Sequence, residues 1–151
     1  MKSLIGGLLA VVSLFCVRSY AALGGDAASV DADRARMKAQ RQVTQASSYA
    51  LHQLTMESGT VVREYVSPAG NVFAIAWQGP FMPDMQQLLG TYFDQYSSAV
   101  KANKKTYVGR HPLNLRLSGM VIESSGYMRA YHFRAYIPQQ VPAGVKEAEL
   151  Q

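Results

Sequence analysis

Acid–base or metal chemistry in this chain would have to come from His52, His111 and His132, with Glu64 and Glu123 as the carboxylates placed on candidate strands. A zinc or catalytic centre needs two or three such groups to converge. His52 and His132 fall in strand-like text and could be cross-strand neighbours. No HxH or HExxH spacing brings ligands together locally. Ordinary sheet histidines are therefore the expectation, with no metal and no cofactor. Glu64 and Glu123 could work as an acid–base pair only if a cleft held them roughly 5–10 Å apart, and their spacing does not require it. Ser67, Ser97, Ser118 and Ser124 lack the GxSxG context of a nucleophile elbow. The chain also lacks a glycine-rich phosphate loop, since Gly6-Gly7 belongs to an apolar leader. No catalytic residue is assigned.

Two stretches could bind rather than catalyse. Lys101, Lys104, Lys105, Arg110 and His111 form a basic run with Tyr107 inside it. It could contact an anionic glycan, a lipid headgroup or a peptide carboxylate. The plainer reading is a solvated helix end, where positive charge is favourable anyway. Tyr127 to Tyr136 alternates aromatic and basic residues, including Arg129, His132, Arg134 and Tyr136. Tyr and Arg are enriched at interfaces, yet they are also good strand residues. The candidate binding residues are thus Lys101, Lys104, Lys105, Arg110, Arg129, His132, Arg134 and Tyr136.

The elements that must position these residues can be read from spacing. Ser29 to Gln45 is mostly helix-forming text. Ser29 is a candidate cap, and Asp31 and Asp33 suit a helix start. Its apolar residues Val30, Met37 and Val43 are sparse, which predicts a weakly docked helix. Tyr49 to Leu54, Thr60 to Val66 and Asn71 to Trp77 read as three strands. The turn Ser67-Pro68-Ala69-Gly70 joins the last two. Strict alternation would put Phe73, Ile75 and Trp77 on one face and Val72, Ala74 and Ala76 on the other. The small face would admit a closely packed helix. Met85, Leu88, Leu89, Tyr92, Phe93, Tyr96 and Val100 make the stripe of one long amphipathic helix. Leu113 to Leu117 and Tyr127 to Ile137 alternate as two more strands. Gly119 is read as a bulge and Ser124-Ser125-Gly126 as a turn. The expected fold is α+β: an antiparallel sheet of about five strands, one long amphipathic helix packed on it and a weaker N-terminal helix.

The N-terminus gives an address. Lys2 precedes the uncharged apolar run Leu4 to Val17, and Ser19-Tyr20-Ala21 offers small residues for signal peptidase. The run is too short for a bilayer core that needs ~20 residues. Residues 1–21 are therefore expected to be a signal peptide, 22–47 a leader and helix, 48–138 the α+β domain and 139–151 a mobile tail. No transmembrane anchor is expected after cleavage. Cys16 is the single cysteine, and Phe15 before it does not suit lipidation. The mature chain would then have no disulfide and no thiolate. Loss of Lys2 and Arg18 takes the 15 basic residues to 13 against 10 acidic, so the net charge falls from +5 to +3. That mild charge does not argue for nucleic acid.

A resemblance rests on three groups of residues. One is the start Ala21-Ala22-Leu23-Gly24-Gly25. Another is the strand Ser58-Gly59-Thr60-Val61-Val62-Arg63-Glu64-Tyr65-Val66. The longest is the stretch Pro68-Ala69-Gly70-Asn71-Val72-Phe73-Ala74-Ile75-Ala76-Trp77-Gln78-Gly79-Pro80. With Pro83-Asp84, Leu88-Leu89-Gly90 and Tyr92-Phe93, the chain resembles a family of secreted proteobacterial proteins, domain of unknown function 2844. The resemblance implies secretion and a compact domain, and it brings no activity, cofactor or catalytic residue. The expectation is a periplasmic or secreted, non-enzymatic envelope protein that binds an envelope protein, a glycan or a small ligand. The rival is a small periplasmic hydrolase or transferase with a His/carboxylate site. Convergence of His52, His132 and Glu64 or Glu123 in one pocket would favour the rival.

Overall fold

The computed structural model describes residues 23–106 and 112–151, without the side chains of residues 104–106. The proposed signal peptide, Tyr107, Arg110 and His111 therefore lie outside the described residues. The chain runs α1 (Ser29–Met37), β1 (Gln40–Gln45), β2 (Ala50–Thr55), β3 (Val61–Val66), β4 (Val72–Gly79), α2 (Met85–Leu89) and α3 (Phe93–Thr106). Then come β5 (Leu113–Leu117), β6 (Met120–Tyr127) and β7 (Ala130–Tyr136). All seven strands join one antiparallel sheet in the order β1-β2-β3-β4-β7-β6-β5. The class is α+β, but the sheet has seven strands and not about five.

Each departure has a local cause. The expected N-terminal helix ends at Met37, because Lys38 takes a left-handed conformation (φ 49°) and its N–H closes on the Ala35 and Arg34 carbonyls. The Gln40–Gln45 text then becomes β1, an edge strand exposed along its whole length. An edge strand with neither face covered shows no apolar alternation, so its sequence does not announce it. Ser29 does not cap α1; its N–H and hydroxyl both bond to Asp26.

The long stripe from Met85 is interrupted at Gly90 (φ 50°), where a 3-10 turn over Gly90–Tyr92 separates α2 from α3. Asp84 caps α2 by accepting from the Gln86 and Gln87 N–H groups at 2.9 and 3.1 Å.

Gly119 is a turn residue between β5 and β6, not a bulge. Ser124-Ser125-Gly126 continues β6 instead of turning. The true turn is Met128-Arg129, with φ 49° and 67°, between the paired Tyr127 and Ala130. Two positive φ values are what a tight primed hairpin turn requires. Gly126 is needed in the strand because a Cβ there would lie 2.7 Å from the Ala130 carbonyl oxygen.

A bulge decides which residues share a face of β4. Tyr65 pairs with Ala74 and Val66 with Val72, so Phe73 is the extra residue. Val72 consequently joins Ile75 and Trp77 in the main core, and Phe73 joins Ala74 and Ala76 on the opposite face. Strict alternation had predicted the reverse for Val72 and Phe73.

Helix α2 covers the face of Ile75 and Trp77, where Met85, Leu88 and Leu89 are buried. The small-residue face of Ala74 and Ala76 packs instead with Tyr65, Phe73, Val121, Tyr136 and Leu150. Leu150 belongs to the segment expected to be mobile. It is fully buried, and the Tyr65 hydroxyl both donates to the Gln151 carbonyl (2.9 Å) and accepts from its N–H (3.0 Å).

Candidate functional site

Two polar arrangements lie on opposite faces of this sheet. The first is under the helices. β3 alternates Val62, Glu64 and Val66, so Glu64 points into the apolar core from a strand paired on both sides. Helix α1 carries Val30 and Asp33 one turn apart, and both are buried there. Asp33 and Glu64 are each only 1% exposed. Gln87 of α2 is buried beside them and donates its side-chain N–H to Asp33 Oδ1.

No N–H or hydroxyl among the described residues reaches Asp33 Oδ2 or either Glu64 oxygen. The hydrogen bond open to them is from one carboxyl to the other, and two ionised carboxylates cannot make it. A hydrogen bond between them therefore requires at least one of the two carboxyls to be protonated. Burial pushes Asp33 up to about 6, although Gln87 pulls the other way. Burial raises Glu64 well above the usual range, and the Asp33 charge beside it adds to the rise.

His52 lies directly opposite Glu64 in the β2–β3 register. It gives Glu64 no hydrogen bond, and its own Nδ1 is buried without a partner. Burial, then the Arg41 charge, lowers its pKa, so it is neutral at pH 7. A cleft of about 760 Å³ opens nearby, lined by Arg36, Asp84, Gln87 and Tyr92 among others. Gln87 reaches both the cleft and Asp33, whereas Asp33 and Glu64 do not line it.

The second arrangement is a groove of about 600 Å³ on the other side of β7, β6 and β5. Here Gln78, Asn114, Glu123, Ser125, His132 and Arg134 meet the chain end at Leu150 and Gln151. Register explains the gathering. Arg134 pairs with Ala76 and Glu123, and His132 pairs with Gln78 and Ser125. Arg134 Nη2 is 2.6 Å from Glu123 Oε2, and Nη1 donates to the Glu147 carbonyl at 2.6 Å. Its guanidinium carbon stands 6.0 Å from the Tyr136 ring centroid. Its Nε is buried with no acceptor. Tyr136 is buried behind Arg134, and its hydroxyl is pushed up to about 12, first by burial and then by Glu147.

The expected binding residues divide accordingly. His132 and Arg134 share the groove, with Tyr136 packed behind it. Arg129 is at the β6–β7 turn, 5.9 Å over the Phe81 ring. Lys101 is exposed on α3. The Lys104 and Lys105 side chains and the whole of Arg110 lie outside the described residues. His52 with Glu64 and His132 with Glu123 fall on opposite faces, so the four do not converge.

Asp33, Gln87, Gln78, Asn114 and Ser125 are site residues that the sequence does not mark as such. Two signals could have exposed the pair: the spacing Val62-Glu64-Val66 on a core face, and Val30 and Asp33 one helical turn apart.

Among the described residues, no group of three His, Cys, Asp or Glu side chains could hold a metal ion, and no helix is long and apolar enough to cross a membrane. No curated protein and no solved structure matches the chain. The model of the family described as "Protein of unknown function (DUF2844)" matches residues 19–150, nearly all of the described fold, and the chain belongs to that family.

Proposed function

We infer that this is an exported, non-enzymatic binding protein of the cell envelope, periplasmic or secreted, whose open-face groove takes a neutral polar ligand of the glycan class. The observation that carries the reading is the composition of the groove. It gathers amides from Gln78 and Asn114, the Ser125 hydroxyl, the His132 imidazole and the Arg134 guanidinium. The Arg134 charge is already matched by Glu123 at 2.6 Å, so a charged ligand would compete with an existing ion pair. An uncharged polyol would find donors and acceptors without displacing it. The address rests on Lys2, the apolar run to Val17 and Ser19-Tyr20-Ala21. The hydrolase reading loses support because Asp33 and Glu64 line neither the Gln87 cleft nor the open-face groove, no hydrogen bond joins His52 to Glu64, and Glu123, which shares the groove with His132, is engaged by Arg134.

Titrating the protein with soluble peptidoglycan fragments and chito-oligosaccharides, followed by amide NMR, tests the groove. Binding should shift the resonances of Gln78, Asn114, Ser125 and His132, and His132→Ala should weaken it at an unchanged melting temperature. Shifts confined elsewhere, or none with any glycan, would overturn the glycan assignment. N-terminal sequencing of the protein recovered from an envelope fraction tests the address, with Ala22 as the expected first residue.

A further inference from the structure

We propose that Asp33 and Glu64 form a proton-dependent latch, in which one shared proton holds α1 on the sheet and its loss in alkaline solution frees that helix. The geometry is specific. Two carboxyls on separate elements, each 1% exposed, face one another across the α1–β3 contact. Three of their four oxygens have no donor among the described residues. The fourth, Asp33 Oδ1, accepts from the Gln87 side chain and so ties α2 to the same point.

The surrounding charges do not replace the proton. On α1, Arg36 favours ionised Asp33 from an exposed position, while Asp84 at the start of α2 opposes it. On β1, Arg41 is engaged with Asp31 at 2.8 Å. On β2, burial and then the Arg41 charge lower the His52 pKa, so the imidazole is a poor source of positive charge. On β4, Ile75 stands opposite Glu64. No cation is therefore within hydrogen-bonding reach of the pair among the described residues, and removing the last proton leaves two like charges in a low-dielectric site.

Helix α1 is the element able to yield. Its buried residues are Ser29, Val30 and Asp33, so apolar burial alone holds it weakly. The chain on either side is fixed. Before α1, Asp26 bridges to Asn71 and the Gly24 N–H bonds to the Val72 carbonyl at 2.8 Å. After α1, β1 pairs with β2. Release would thus be a local opening between two anchors, uncovering Glu64 and the rim of the Gln87-lined cleft.

The sign follows from linkage. Both folded-state pKa values lie above their unfolded values, Asp33 at about 6 and Glu64 raised first by burial and then by the Asp33 charge. The latch stabilises fully below the unfolded carboxyl range near ~4. It weakens as pH rises through 6 and beyond.

The test is the melting midpoint from pH 5 to 9, read beside the amide NMR signals of residues 29–37. The midpoint should fall by several degrees, with α1 signals exchanging or broadening while those of β3 and β4 hold. Glu64→Gln supplies an N–H donor to Asp33 in place of the proton and should flatten the fall. Asp33→Asn provides the same readout should Glu64→Gln not fold. A wild-type profile paralleled by that of either variant would overturn the latch. So would recovery of the pH 8 midpoint on adding Ca²⁺ or Mg²⁺ alone, which would make a cation, and not a proton, the shared partner.

Discussion

Glu64 and Glu123 are both sheet glutamates, and the two faces of the sheet treat them differently. Glu64 lies under α1 and α2, accepts no hydrogen bond from a cation among the described residues, and is held against a second carboxyl, that of Asp33. Glu123 lies on the other face at 33% side-chain exposure and pairs with Arg134 at 2.6 Å. Both glutamates stand on strands paired on either side, with the β3–β4 bulge just after Glu64 and an unbroken register at Glu123 on β6. What differs is the cover. A helical layer seals one face, whereas turns from the C-terminal segment cover the other only in part and leave a wet groove. A carboxylate near water can keep its charge with an Arg beside it. A sealed one must give the charge up or find a full partner.

The contrast predicts where truncation costs most. Trp77 is 4% exposed on the helix-covered face and stacks on Phe133, with ring centroids 6.0 Å apart and planes 15° apart. Trp77→Ala should cost about 3–5 kcal/mol in urea unfolding, as buried aromatic truncations do. A loss below ~1 kcal/mol would show that this face is not the main core.

Leu150 tests the other face. It is fully buried against the cluster of Tyr65, Phe73 and Tyr136, yet it arrives on a segment of short 3-10 turns. Leu150→Ala should cost about 2 kcal/mol, the low end for a buried leucine, because such a segment can relax into the gap. The near-ultraviolet dichroism of the tyrosine cluster should change with it. No loss of stability would mean that the segment adds nothing to the second core.

The sequence made some of this legible and hid the rest for physical reasons. β3, β4 and β7 were readable because covered strands must carry apolar residues. β1 was hidden because Gln40 to Gln45 is exposed along its length, so nothing in its composition is constrained by a core. The β6–β7 turn was hidden because Met128 and Arg129 adopt positive φ without the Asn or Gly that usually mark it. The Phe73 bulge inverted a face that alternation alone cannot resolve. Within the candidate groove, His132 and Arg134 were visible as an alternating pair. Gln78, opposite His132, comes from β4 and Asn114, opposite Glu123, from β5, and only the strand order brings them into the same groove. The Asp33–Glu64 meeting depends on where α1 lands, which its sparse stripe does not specify.

The smallest effect belongs to the ion pair in the groove. Arg134 and Glu123 side chains are 21% and 33% exposed, so solvent screens their attraction. Glu123→Gln should change stability by a few tenths to about 1 kcal/mol, the range of partly exposed pairs. It keeps the side-chain length and a hydrogen-bond acceptor for Arg134, so the groove retains its shape. Its effect on binding should be larger and informative. With Glu123 neutral, Arg134 carries an unmatched positive charge beside His132, and the groove should begin to admit anionic ligands in a salt-sensitive way. Titrating wild type and variant with a neutral chito-oligosaccharide and its carboxylated analogue, at low and at physiological salt, separates the two roles. A gain for the carboxylated ligand in the variant alone would confirm that Glu123 sets the charge preference of this face. Equal behaviour of the two proteins would mean that Arg134 is held by the Glu147 carbonyl and the Tyr136 ring, with the ion pair incidental to selectivity.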